Sequence, residues 1–288
     1  MIKTNLLEPS NPKTFVKIKE LKDFAESLES SSKMPLLFVG HGNPMNAVAD
    51  NEFTKGWENA GKSLMKPNAI LCISAHWETQ GTFVTAMDMP ITIHDFYGFP
   101  EPLYQVSYPA PGSPDLAKNI KEMIKKTPVE FDQLWGLDHG CWSVIKHMFP
   151  KADIPIIEMS LDYSKPAIWH YELAREISSL RKRGVLIVGS GNIVHNLRMM
   201  DWQNDKGFDW ARKANETMKN LALGEEHRKL IEYGDLGKEV RLAVPTPEHY
   251  LPLLYILGLK EKKDSITFFN DKTVLGSVSM TSMILDKA

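Results

Sequence analysis

GVLIVGSGNIVH, residues 184–195, is the stretch whose reading decides the fold of this chain. Its first half is a continuous apolar run, rich in β-branched residues and closed by small ones. That pattern predicts a strand buried on both faces, as in parallel sheets. Its second half turns through Gly-Ser-Gly-Asn and ends on His195. Two other segments share the design, since PLLFVGH (35–41) and AILCISAH (69–76) are also short apolar runs that end on histidine. IPIIEMS (154–160) reads as a further buried strand. Helical periodicity falls between these runs. It places Leu116, Ile120 and Ile124 on one face of a segment near 114–126. Ile168, Tyr171, Leu173, Ala174 and Ile177 share a face within 166–181, and a third helix covers roughly 207–222. The alternation predicts an α/β fold: a single domain with a central mixed, largely parallel sheet flanked by helices. VTAMDM (84–89), SITFFN (265–270) and GSVSMTSMIL (276–285) are expected to add strands, some of them antiparallel.

Residues 1–33 read as an N-terminal helical extension, with Ile18, Leu21, Phe24, Ala25 and Leu28 on one face and Ser30 to Ser32 closing the pattern. No linker or repeat follows residue 34, so 34–288 is expected to form one catalytic domain. Composition narrows the functional classes. Against 34 Lys plus Arg stand 36 Asp plus Glu, a net charge of −2 that offers no footprint for nucleic acid or an anionic bilayer. The apolar runs fall short of the ~18–20 residues that a membrane span requires. The N-terminus lacks a signal-peptide pattern, and two cysteines, Cys72 and Cys141, build no disulfide framework. A soluble, cytoplasmic protein acting on a small molecule is expected.

Chemistry points to the nine histidines. Ligands in open α/β sheets bind outside the carboxyl ends of strands, which is where His41, His76 and His195 fall. His249 arrives in PTPEHYLPLLYIL, where Thr246 can cap a helix, Pro247 suits its first position and His249 sits in the first turn. A helix N-terminus disfavours imidazolium and leaves such a ring able to coordinate. Small neighbours (Gly40 and Gly42, Ser74 and Ala75, Gly189 to Gly191) leave room for a metal and a substrate. A mononuclear, histidine-rich metal site is the expectation, in which imidazole suits zinc, iron, copper or nickel. His94 and His139 each stand beside an aspartate amid aromatics and glycines, and each is expected in a loop of a pocket wall with that acid orienting the ring. Trp77 and Trp135 adjoin candidate histidines and are retained as pocket residues. His147, His170 and His227 read as ordinary structural residues, and Cys141 as a small buried thiol.

Seven ordered motifs now bear on identity: GHGNPMNA (40–47), SAHWET (74–79), TIHDFYGFP (92–100), YPAPGSP (108–114), GLDHGCW (136–142), GNIVHNLR (191–198) and TPEHYLPLLYILG (246–258). From about Met34 onward the chain resembles the 4,5-DOPA extradiol dioxygenases of bacteria and plants. These belong to the class III extradiol ring-cleaving superfamily and are related to the catalytic subunit of protocatechuate 4,5-dioxygenase. The resemblance implies an aromatic ring-opening dioxygenase with one divalent metal, Zn(2+) or Fe(2+), acting with O2 on a catechol such as DOPA and opening the ring to a semialdehyde. By motif, His41, His76 and His249 match the metal ligands. His195 matches a further histidine, a ligand in some members and an acid/base in relatives, and His139 matches a second pocket histidine. His195 or His139 would then take the phenolic proton, with His94, Tyr104 and Trp77 lining the aromatic pocket. Relatives in the wider superfamily use two histidines and a glutamate, whereas here His249 takes the place of the carboxylate, with Glu248 beside it. A neutral all-histidine set leans toward zinc, yet dioxygen chemistry needs a metal that passes electrons. A zinc-dependent hydrolase and a non-catalytic metal-binding member therefore stand as alternatives. No nucleic-acid or membrane partner is expected, and the chain would act as a monomer or small homo-oligomer.

Overall fold

Alternation within each apolar run sends its side chains to two opposite cores, and this places the strands inside a sheet covered on both sides. In the computed structural model, which describes residues 33–287, β1 (Leu36–Gly40) directs Leu36 and Phe38 to one core and Leu37 and Val39 to the other. β2 (Ala69–Thr79) splits Leu71 and Ile73 from Ile70 and Cys72 in the same way. The remaining strands are β3 (Thr82–Thr85), β4 (Val129–Asp132), β5 (Ile156–Asp162), β6 (Val185–Gly191), β7 (Asp264–Phe269), β8 (Thr273–Val274), β9 (Val278–Ser279) and β10 (Ser282–Lys287). Eight of them form one sheet in the order β4-β3-β5-β2-β6-β1-β10-β7, while β8 and β9 pair separately. The central strands β5, β2, β6 and β1 run parallel, and β10 and β7 complete one edge antiparallel. The expected α/β architecture is therefore present.

Helices cover the two faces. α1 (Glu52–Ser63) and α3 (His139–Met148) bury Trp57, Trp142, Val144 and Ile145 against one side. α2 (Pro114–Met123), α4 (Ala167–Glu176), α5 (Asp209–Leu223) and α6 (Leu251–Gly258) cover the other. Caps fix where they begin. Asn51 accepts from the backbone of Phe53 and Thr54 at the start of α1, and Ser113 accepts from Leu116 N–H at the start of α2.

Several boundaries differ from the sequence expectations. The helix expected over 166–181 ends at Glu176 and continues as a tighter 3-10 turn, Ser178–Arg183. The 84–89 run contributes only its first residues to β3, and 276–285 divides between β9 and β10 because Ser279 N–H donates to the Val194 carbonyl, away from the main sheet. The helix expected from Pro247 begins at Leu251 instead. Tyr250 and Leu251 both donate to the Pro247 carbonyl, and the Thr246 hydroxyl donates to the Glu248 carboxylate rather than capping. The extension expected over 1–33 lies outside the described residues except for Lys33, whose ammonium pairs with Asp264 at 2.7 Å.

Register decides what meets at the carboxyl edge. Gly40 pairs with Gly191 and Ser74 with Ser190, so the ends of β1 and β2 flank the end of β6. Into this edge the turn before α6 descends until the His249 carbonyl lies only 2.2 Å from where a Cβ on Gly191 would stand. Gly191→Ala is therefore expected to destabilise the fold by about 1–3 kcal/mol, the usual effect of overpacking. A urea titration checks it, and unchanged stability would show that the turn yields freely.

Candidate active site

Five histidines from five separate segments converge at this edge. His41 follows β1 directly, its N–H donating to the Gly191 carbonyl at 3.2 Å, and Gly42 turns the chain away with φ +63°. His76 lies within β2, in the stretch where pairing with β5 shifts register between Ile73 and Glu78. Such an irregularity re-aims a side chain out of the regular alternation. His195 follows β6 and donates its N–H to the Ala243 carbonyl at 2.9 Å. His249 is fixed by the Asn192 N–H, which donates to its carbonyl at 2.8 Å. His139 opens α3 rather than sitting in a loop, because the Asp138 carboxylate caps that helix by accepting from Cys141 N–H.

The rings stand close. The centroids of His41, His76 and His249 are 5.0–5.3 Å apart pairwise. His195 stacks on His249 at 3.5 Å with an interplanar angle of 11°, and His139 lies 3.9 Å from His76. Hydrogen bonds outside the cluster settle which nitrogen faces inward. Ser190 donates its only hydroxyl proton to the Gly140 carbonyl at 2.6 Å, so its oxygen accepts from His41 Nδ1 at 3.0 Å. His249 Nδ1 donates to Glu248 Oε1 at 3.0 Å, and His139 Nδ1 donates to Asp95 Oδ2 at 2.8 Å. In its neutral form each of these three rings therefore keeps a bare lone pair on Nε2. Asp95 also accepts the His139 backbone N–H at 2.8 Å and stands 3.4 Å from His76 Nδ1.

Sequence adjacency mispaired these acids and rings. Asp95 orients His139, forty-four positions away, while Asp138 is occupied as a helix cap. The local signal that identifies the second role is an aspartate immediately before a helical run. Nothing local identifies the first. Ser190 likewise gains its role only in three dimensions, 149 positions from His41, whereas Glu248 adjoins the ring it orients.

Burial, followed by the neighbouring histidines, holds His41 and His249 well below the ordinary imidazole range. Burial together with His139 lowers His76 to about 3, and burial lowers His195 to about 4. Burial pushes Asp95 upward, but the hydrogen bond and charge of His139 and the charge of His76 outweigh it and leave the carboxyl below its usual value. The donor set suits a metal ion. Among the described residues, ligand atoms of His41, His76 and His139 lie within 4.8 Å of one another, as do those of His195, Glu248 and His249. His41 Nε2 and His76 Nε2 are 3.2 Å apart, close to the ~3.4 Å separating two nitrogens bound at about 2.1 Å to one tetrahedral metal.

All five rings line one cavity of about 250 Å³. His94, Tyr104 and Trp77 are not among its lining residues. His94 Nε2 donates to the Val106 carbonyl, and its ring, with that of Tyr104, backs Phe96, which does line the cavity. Trp77 is buried and stacks on Trp135 at 5.6 Å. His147, His170 and His227 bond to the Asn46 carbonyl, the Tyr255 hydroxyl and the Tyr171 hydroxyl, the structural roles expected of them.

Residues 31–281 match the family described as the catalytic LigB subunit of aromatic ring-opening dioxygenase. The chain belongs to that family. It is 48% identical over 259 residues to the 4,5-DOPA dioxygenase extradiol of Escherichia coli (strain K12), covering 88% of this chain and 95% of that one. To the enzyme of the same name from Beta vulgaris it is 36% identical over 228 residues, 77% of this chain and 85% of the other. A crystal structure of an uncharacterized protein from Escherichia coli K12 superposes with a TM-score of 0.77 at 42% identity, covering 88% of this chain and all of that one. This LigB-type chain is accordingly an extradiol, ring-opening dioxygenase, and no helix among its described residues is long and apolar enough to cross a membrane.

The lowered histidines make the metal-free protein acid-sensitive. His170 and His195 fall to about 4 and His76 to about 3, all from 6.5. Between those values and 6.5 the unfolded chain takes up protons that the folded chain refuses, so stability declines as pH falls through that window. Chelator-treated protein should unfold at lower urea at pH 5 than at pH 7; equal midpoints would contradict it.

Proposed function

We propose that residues 34–288 form the catalytic unit, in which His41, His76 and His249 hold one Fe(2+) while His139 and His195 handle protons during catechol cleavage. The bound iron would supply the electron transfer that lets dioxygen react with an aromatic ring, a capacity zinc lacks. The ring bond beside the hydroxyl pair breaks and both oxygen atoms enter, leaving a carboxylate at one new end and an aldehyde at the other. His139 is the better-supported base. Asp95 holds its Nδ1–H, aims its Nε2 lone pair and faces the positive charge that proton uptake creates, the same division of labour as in other histidine–carboxylate pairs. His195, which stacks flat on His249 and lines the same cavity, would exchange the second proton. His94 and Tyr104, which pack on the lining residue Phe96, are assigned a supporting role behind the wall, and Trp77, stacked on Trp135, is not assigned to the lining. The balanced charge and two unpaired, buried cysteines favour a cytoplasmic setting.

The observation that carries this reading is the meeting of five imidazoles in one cavity, three with Nδ1 tied to acceptors outside it. Protein reconstituted anaerobically with Fe(2+) should take up oxygen and form a yellow product from catechols, and the zinc-loaded form should not. Iron bound at unit stoichiometry with no oxygen uptake across a catechol panel would defeat it. His139→Ala is expected to lower kcat by about 10²–10⁴-fold, the usual contribution of a general base, in the same oxygen-electrode assay. Glu248→Gln should weaken metal binding by about 10–100-fold, as loss of an outer carboxylate partner does, measured by chelator competition.

A further inference from the structure

β5 carries an acid where a strand covered on both faces is expected to be apolar. Glu158 is wholly buried between Ile157 and Met159 and pairs with Cys72 of β2. Its Oε1 accepts the Asp138 N–H at 2.9 Å, and its Oε2 accepts the Trp135 indole N–H at 3.4 Å. Asp138 is equally buried, and its Oδ1 accepts from Cys141 N–H at 3.0 Å and from the Ser74 hydroxyl at 2.7 Å. The two carboxyl groups also hydrogen-bond to each other, and no other group among the described residues satisfies Asp138 Oδ2. All four donors just named are neutral. Two adjacent carboxylates buried among neutral donors are strongly unfavourable, and one proton held between them removes a charge. Burial, followed by the charge of Asp138, pushes the Glu158 carboxyl well above the ordinary range, so the proton resides there.

This pair stands at the entry to α3. Two consecutive backbone N–H groups there are each taken by an acid from elsewhere in the chain, that of Asp138 by Glu158 and that of His139 by Asp95 at 2.8 Å. Asp95 aims the His139 ring, and Glu158 holds the backbone immediately before it. Ser74 lies two residues before His76 in β2, so the same pair ties the start of α3 to the strand that carries His76. We infer that Glu158 is a positioning residue for ring opening: as the neutral acid it donates to the Asp138 carboxylate, accepts the Asp138 N–H, and so fixes where His139 stands in the cavity. Glu158 is not among the cavity's lining residues and acts through His139 alone. The inference rests on the assignment of His139 as the base and deepens it.

Three variants separate this from a structural role. Glu158→Gln keeps both an acceptor and a donor, Glu158→Met keeps the volume with neither, and Glu158→Asp keeps the acid but withdraws it by one methylene. In iron-loaded protein, Glu158→Gln should retain the wild-type kcat for catechol. Glu158→Met and Glu158→Asp should each lower kcat by about 10²-fold, the effect of a ~1 Å misplacement, with KM and iron stoichiometry unchanged. Should Glu158→Met fail to fold, the order of Gln above Asp carries the test. Lowered urea midpoints with wild-type kcat in the folded variants would mark a purely structural acid and overturn the inference. So would the reverse order, Asp active and Gln impaired, which would mean that a negative charge is what matters. A second readout needs no turnover. In zinc-loaded protein the low-field proton NMR signal of His139 Nδ1–H, identified by its loss in His139→Ala, should persist in Glu158→Gln and move in the other two. A signal unmoved in all three would also overturn it. Iron-bound wild type without oxygen uptake would defeat the dioxygenase reading and this inference with it, whereas wild-type turnover that Glu158→Met and Glu158→Asp preserve would defeat this inference alone.

Discussion

The hydrogen bond from the Asn192 N–H to the His249 carbonyl is the joint on which the site depends. Asn192 follows the last residue of β6, so this bond ties an irregular turn to a fully buried strand end. Gly191, next to it, lets the two backbones approach closely enough for the bond to form. The same strand end accepts the His41 N–H through Gly191, so two histidines from opposite ends of the chain share one anchor. Parallel pairing of β1, β6 and β2 then fixes the positions of His41 and His76 relative to it. Precision in the site follows from rigid strand ends, since the ring positions inherit the sheet's register.

Charge is arranged in layers around that anchor. The inner layer is made of imidazoles, and burial holds those of His41, His76, His195 and His249 below their ordinary range. The carboxylates stand one bond further out, Asp95 on His139 and Glu248 on His249. A glutamate ligand would place negative charge on the metal itself. Under the proposed ligand set, Glu248 would deliver part of that influence through the His249 imidazole, whose ring it fixes through a hydrogen bond at 3.0 Å. An all-nitrogen inner layer and an electron-donating outer layer are thus compatible, which softens the contrast with relatives that coordinate through glutamate.

Much of this was legible in the sequence, for definite physical reasons. β1, β2, β5 and β6 announced themselves because strands buried on both faces must be apolar throughout. His41, His76 and His195 are legible because each closes or follows an apolar run, although β2 itself continues past His76 to Thr79. Residue spacing does not reveal partners that the fold brings together over long separations, so adjacency points Asp95 to His94 while its actual partner is His139. His94 and Tyr104 carry the aromatic character of a pocket, but they stand one layer behind it, and composition does not distinguish a wall from its backing. The start of α6 was misplaced because Thr246 and Pro247 form a good capping sequence, while the Thr246 hydroxyl is spent on Glu248.

One modest residue bears on durability. Cys141 lies two positions from His139, wholly buried, and burial followed by the neighbouring Cys72 pushes its thiol well above the ordinary range. Sulfur is attacked by oxidants chiefly as exposed thiolate. A centre that handles dioxygen so near a reactive thiolate would shorten its own working life with each stray oxidant released. Keeping Cys141 protonated and sealed from solvent would let the packing of α3 survive the chemistry proposed at its first residue.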